Sequence, residues 1–380
     1  MDLLSNFILG AGILVHFILI FLLLKGKEKN IEKQILSLIF FLLGMVIIHS
    51  FGELNHVLWM IYLGFPFADS IGFLIGPLFY LYVLAIYESQ ILIGIKPYRH
   101  FIPAMLYLAI ISIPSLVFSI LDKEVFYYLK YVNDREYLLH FQGIYLFLYV
   151  AYCYKKLGTY QKLLKDHFAN LNKKDLKWIK FFFLGIMSLM LLDIILEITS
   201  VTQKNLKLDP DIFITLPLIL LIVYLAYFGT TQSKILLPIT ALQAIPQPDQ
   251  KLPKGGHHLT NASEEEIKEL QKKLEDKLEL EKIYRHEDLS LASLAIEIQT
   301  TGRKLSALLN HHLKTSFYDL INHYRIEEIK ERMADPKFDK YTLLALAFEA
   351  GFSSKSSFNR IFKKETGESP SVYKKKIQKK

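Results

Sequence analysis

Lys355, Ser356, Asn359, Arg360 and Lys363 recur at i, i+1, i+4, i+5 and i+8, a spacing that sets them along one side of a helix. Their chemistry suits a polyanion. Arg360 can bond a guanine edge through two N–H groups, Asn359 matches an adenine edge, and Lys363 with Lys364 offers ammonium groups to phosphates. Arg303, Lys304, Ser306 and Asn310 make a second, shorter face of the same kind. Taken alone, either face is also compatible with the solvated surface of an ordinary helical bundle. A third group has different chemistry. His49 and Glu53, and likewise Asp193 and Glu197, stand four apart on apolar stretches, and Asp69 opens another. Ionisable groups at membrane depth usually face a bundle interior, so these five are candidates for a pocket that takes a cationic, metal or proton signal. The competing reading leaves Glu53, Asp69 and Glu197 at the membrane interface. His16 reads as a packed or interfacial histidine rather than a ligand. The lone Cys153 lies in an apolar run, which excludes an intramolecular disulfide and a cysteine-based zinc site and suggests a buried, inert thiol.

The basic face needs a helix presented at the right angle, and the residues around it supply one. Leu343, Leu344, Ala347 and Phe348 predict the buried stripe of a short first helix, and Gly351 breaks it where a turn needs positive φ. Phe352 plugs the angle, and Ser353 or Ser354 is placed to cap a second helix. That helix points Phe358, Ile361 and Phe362 inward; Gly367 closes it, and Ser369-Pro370 opens a last helix as N-cap and N1. From Leu289 the pattern repeats more weakly. Leu291, Leu294, Ala295 and Ile298 form one helix, Thr301 caps the next, and Leu305, Leu308 and Leu309 are its inner face. A long helix from Ser316 to Met333 joins the copies, with Phe317, Leu320, Ile321, Tyr324, Ile329 and Met333 expected to pack and Arg325 expected to be exposed.

The order Gly351-Phe352-Ser353, Ser354, Phe358, Arg360, Phe362-Lys363-Lys364, Gly367, Ser369-Pro370 and Tyr373 resembles the second half of an AraC/XylS-type DNA-binding domain. With the earlier copy and the connector, the likeness runs from about Leu289 to Tyr373. It implies two helix-turn-helix units on a linker helix, binding double-stranded DNA through Lys355, Ser356, Asn359, Arg360, Lys363 and Lys364, with Arg303, Lys304 and Ser306 contributing. The first unit departs from the family pattern. Gln299 stands where a turn glycine is usual, Lys314 replaces a later glycine, and Ala307 replaces a frequent arginine, so this unit is expected mostly to position the domain through phosphates.

The remaining chain is of another kind. Hydrophobic residues make up 52% and mean hydropathy is +0.27, yet the sequence beyond Thr231 is highly charged, so the apolar excess belongs to the first 230 residues. Seven stretches of spanning length can be drawn there, at about 5–24, 35–52, 69–87, 101–120, 138–154, 179–200 and 211–230. No basic residue precedes the first, so it is expected to stay rather than be cleaved as a signal. Loops one, three and five carry most of the lysines, which predicts an N-terminus outside and a C-terminal part in the cytoplasm. The expected fold is therefore all-α, a seven-helix transmembrane bundle over 1–230 followed by a cytoplasmic helical domain. Proline and glycine mark 231–262 as a linker, and a helix capped by Ser263 with Glu266 fills 263–284, free either to pair with its copy or to dock on the domain 285–380. Net charge +8 suits nucleic acid and anionic lipid.

Together these readings predict a membrane-embedded, one-component transcription regulator of the inner membrane. Its expected partners are promoter DNA, the bilayer, an unknown signal ligand, a second copy of the chain and RNA polymerase; no cofactor is expected. The competing class is a transporter or channel regulated by a helix-turn-helix domain. Phosphate-cradling glycine loops, His-Glu-x-x-His and Gly-x-Ser-x-Gly are absent from the sequence, which argues against an enzyme.

Overall fold

The computed structural model describes residues 2–25, 30–87, 96–121, 136–171, 177–202, 210–231 and 264–378. These residues are helical throughout apart from turns and one isolated antiparallel bridge, Phe168 to Ser290. They fall into two compact units, one of residues 1–158 and 176–236, the other of residues 159–175 and 237–380.

The first unit contains α1 (Asp2–Leu24), α2 (Ile31–Asn55), α3 (Leu58–Tyr87), α4 (Ile102–Tyr107), α5 (Ile113–Ile120), most of α6 (Glu136–His167), α7 (Lys177–Thr202) and α8 (Pro210–Thr231). All but α6 are built from near-continuous apolar sequence. Among the described residues, five segments are long and apolar enough to cross a membrane: Ser5–Leu24, Ile31–Asn55, Leu58–Ile86, Tyr98–Val117 and Lys177–Leu196. A shorter apolar segment is Leu216–Gly229. The helix over the fifth expected stretch, α6, is not among the five; Gln142 and the tyrosines at 145, 149 and 152 make it less apolar. Prolines 66, 77 and 217 lie inside helices, and a π turn, Leu108–Ser112, separates α4 from α5 just before Pro114.

The second unit positions the basic faces. Its helices are α9 (Glu264–Glu279), α10 (Leu291–Glu297), α11 (Gly302–Ala307), α12 (Phe317–Ala334), α13 (Leu343–Glu349), α14 (Lys355–Thr366) and α15 (Pro370–Ile377). Two apolar clusters hold them. The first joins Leu270, Leu274 and Leu278 of α9 to Leu291, Leu294, Leu305, Leu308, Leu309, Phe317 and Ile321. Of the two dispositions open to α9, docking on the neighbouring domain is therefore the one observed. Ser263, its expected cap, lies outside the described residues. The second cluster packs Tyr318, Ile326, Ile329 and Met333 against Leu346, Ala347, Phe352, Phe358, Ile361 and Phe362. The linker helix α12 thus gives one side to each cluster.

Two sequence expectations are corrected here. Phe348 is 48% exposed, and Leu346 and Ala350 take the buried places beside Ala347, so the inner stripe of α13 is rotated from the expected one. Arg325 is buried at 1% exposure rather than exposed. Its guanidinium donates from Nε to the Tyr284 carbonyl (2.7 Å) and from Nη2 to the His286 carbonyl (2.8 Å), and it lies 5.7 Å from the Phe352 ring centre. Carbonyl dipoles and an aromatic face substitute for water around the buried charge. Burial still lowers its pKa to about 10, which leaves it charged at neutral pH.

Gly351 is the tightest point of the second unit. It holds φ +98°, and a Cβ there would lie 2.7 Å from the carbonyl oxygens of both Arg285 and Tyr284, so only glycine fits the turn.

Candidate nucleic-acid interface

The second recognition element begins at Ser354, whose extended backbone and side-chain oxygen, accepting from Ser357 N–H at 3.3 Å, start α14. It ends at Gly367, in the left-handed conformation at φ 78°. Between these caps Phe358, Ile361 and Phe362 are buried, while Lys355, Ser356, Asn359, Arg360, Lys363 and Lys364 are exposed. The structure therefore brings all six expected contact residues onto one helix, outside the core.

Two of them are held by the linker helix. Arg360 Nη2 donates to the Tyr318 hydroxyl (3.0 Å), and Lys364 Nζ meets Asp319 Oδ1 at 2.7 Å. The hydrogen bond to Asp319 raises the Lys364 pKa. At Asp319, burial works to raise the carboxyl, but Lys364 and the Ser316 hydroxyl outweigh it and hold the pKa below the usual range. Tyr318 and Asp319 were not singled out from sequence; their i, i+1 position at the start of α12 carries no motif.

The first recognition element starts at Thr301, whose hydroxyl accepts from Lys304 N–H at 3.2 Å. Arg303 and Lys304 are exposed, Ser306 is half-buried, and Asn310 donates to the Ser306 hydroxyl at 3.2 Å. Its α-helix is short, Gly302–Ala307, and passes into a π turn over Leu308–His312. The two sequence departures in this unit have a direct structural form. Gln299 (φ 54°) and Lys314 (φ 55°) adopt the left-handed conformation that glycine takes more cheaply, at Gly351 and Gly367, in the second unit.

The polar residues of the apolar helices are dispersed differently. His49 Nε2 lies 3.4 Å from Glu53 Oε1, and His49 Nδ1 lies 3.0 Å from the Ile61 carbonyl. The Tyr107 hydroxyl donates to Asp69 Oδ1 (3.3 Å), and Gln142 Nε2 donates to the Asp69 carbonyl (2.8 Å). Asp193 is exposed on α7, and the Glu197 side chain lies outside the described ones. Among the described residues, no group of three or more His, Cys, Asp or Glu side chains is gathered as a metal site. His16 is buried, with Nδ1 2.7 Å from the Gly12 carbonyl, and Cys153 is buried and unbridged.

A helix-turn-helix domain profile matches residues 294–376, covering both capped elements and the linker helix. The C-terminal unit carries an AraC-type helix-turn-helix domain. The chain is similar to uncharacterized HTH-type transcriptional regulators of Staphylococcus aureus strains COL and N315, at 34% identity over 91 residues in each case. The match covers 24% of this chain and 12% of each relative, so the likeness concerns only a short part of either. No solved structure matches the chain.

Proposed function

We propose that the protein is a membrane-embedded transcription regulator that binds promoter DNA through its AraC-type domain. One observation carries this reading: two capped helices expose basic and amide side chains from units joined by a single 18-residue helix. Such a helix is about 27 Å long, which suits two reading elements set on successive major-groove faces about 34 Å apart. In this reading Arg360 and Asn359 read base edges, while Lys355, Ser356, Lys363 and Lys364 engage the backbone around them. Arg303, Lys304 and Ser306 hold the first unit on phosphates.

The N-terminal region is, in this reading, a seven-helix membrane bundle over 1–230 with its N-terminus outside, joined through 231–262 to the DNA-binding part. The apolar helices support membrane association, and the lysine-rich loops support the orientation. His49, Glu53, Asp69, Asp193 and Glu197 are the residues proposed to respond to a cationic, metal or proton signal. A second copy of the chain and RNA polymerase complete the proposed partners.

The test is crosslinking of the full-length protein to chromosomal DNA beside an Asn359→Ala/Arg360→Ala variant. Discrete enriched sites that vanish in the variant are expected. Equal, diffuse recovery from both proteins would overturn the reading.

A further inference from the structure

The seam between the two helix-turn-helix units is occupied by a short piece of chain from far upstream. Residues 159–175 follow the apolar part of α6 and precede α7, yet they belong to the compact unit that contains residues 237–380. Just past the end of α6, Phe168 pairs with Ser290, the N-cap of α10, and Ala169 N–H donates to the Leu289 carbonyl at 3.3 Å. The buried amide of Asn322, on the linker helix, donates to the Ala169 carbonyl at 3.0 Å. Asn170 Nδ2 then donates to the Ser353 hydroxyl at 2.5 Å, immediately before the N-cap of α14. The apolar contacts divide in the same way, since Ala169 is buried in the first cluster while Leu171 packs against the second.

Four consecutive residues thus touch the edge of the first unit, the linker helix and the turn of the second unit. We propose that residues 168–171 are a docked strap that fixes the spacing of the two helix-turn-helix units, and that movement of α6 docks or withdraws it. This rests on the DNA-binding reading above. The physical argument is one of constraint. The linker helix and the close approach of Gly351 to the Tyr284 and Arg285 carbonyls already join the units, and the strap adds a further bridge that narrows the freedom left to them before DNA is met. The strap reaches its seat through a continuous helix, so a shift of α6 by about 1–2 Å, an ordinary amplitude for switching helices, is on the scale that breaks hydrogen bonds. The stretch 231–262 is one connection between the N-terminal region and the DNA-binding part; the strap supplies a second, one that bears on both units at once.

The closing experiment uses the full chain in phosphatidylethanolamine/phosphatidylglycerol nanodiscs, in a Cys153→Ala background. Spin labels at His311 and Ser371, both exposed and one in each unit, report the distance between the units. The parent is expected to give one narrow distance, and both Ala169→Glu and the milder Asn170→Ala are expected to broaden it. In parallel, unlabelled proteins select from a random duplex library. The parent should select a two-part motif. Ala169→Glu should bind that motif roughly tenfold more weakly, and an oxidised Phe168→Cys/Ser290→Cys pair should bind it as the parent does. Unchanged distances in both strap variants, or tighter binding by Ala169→Glu, would overturn the strap. A parent that selects no motif at all would instead overturn the DNA-binding reading, and the spin-label distances would still decide the strap.

Discussion

At the scale of single residues, the proposed interface separates groups that read from groups that hold. Arg360 is exposed but tethered, its Nη2 on the Tyr318 hydroxyl, so in the proposed reading its guanidinium is oriented before DNA arrives. Arg360→Ala is expected to cost about 1–3 kcal/mol at a specific site and to relax preference at one base pair, measured by competition binding on a set of single-substituted sites. Tyr318→Phe should relax the same base pair to a smaller degree. Lys363→Ala is expected to weaken all sequences alike and to lower the slope of log K against log salt by about 1. A second residue-scale prediction concerns Glu328, which is buried between Arg285 and Arg332. Burial works to raise its carboxyl, but hydrogen bonds and charge from Arg285 and Arg332 prevail and hold the pKa below the usual range. A carboxyl whose folded pKa is depressed contributes stability that is present above its unfolded pKa, about 4.3, and lost as pH falls through the folded value. Amide protection across α12 in the full chain should therefore fall on acidification below that range. Glu328→Gln should lower protection at neutral pH and flatten the acid dependence.

At the scale of elements, the two proposed helix-turn-helix units solve one geometric problem with different residues. The second unit uses glycine at 351 and 367 for its left-handed turns, whereas the first forces Gln299 and Lys314 into that conformation. Left-handed backbone costs a residue with a Cβ about 1–2 kcal/mol, part of which the unfolded-state entropy of glycine takes back. Gln299→Gly and Lys314→Gly are each expected to stabilise the domain by about 0.5–1 kcal/mol, read as slower amide exchange in α10 and α11. Gly351→Ala should have the opposite and larger effect, because its Cβ would strike two carbonyl oxygens.

Much of this level was legible beforehand, because caps and apolar periodicity act locally. Thr301 and Ser354 cap their helices, Phe358, Ile361 and Phe362 face inward, and the connector runs as a single helix. What was not legible depends on chain segments distant in sequence. Arg325 looks like a surface residue until the carbonyls of Tyr284 and His286 converge on it. Phe348 and Leu346 exchange places because α13 is turned by packing against α12, which no window of α13 records. The seat of residues 168–171 has no local signature at all.

At the scale of the whole molecule, the chain divides into an apolar helical unit and a charged one, and the proposed topology puts the second in the cytoplasm. A green fluorescent protein fused at the C-terminus should fluoresce, and an alkaline phosphatase fused there should be inactive; the reverse result would overturn the orientation. Among the described residues, the ionisable side chains of the apolar helices do not gather into one cluster, so a response to signal is best sought in pairs. Replacing Glu53, which meets His49, or Asp69, which meets Tyr107, is expected to blunt signalling while leaving DNA binding by the AraC-type domain intact.

The position of Ala169 also bears on how such a protein could arise by recombination. Domains that end in a loose linker can be cut and joined to new sensors as cassettes, because each carries its whole interior with it. This one does not: Ala169 and Leu171 pack with residues more than a hundred positions downstream. A crossover within 231–262 would deliver a reader with an open notch at its waist. Lineages that exchanged the N-terminal half would be forced either to keep residues 168–171 or to refill the notch from within.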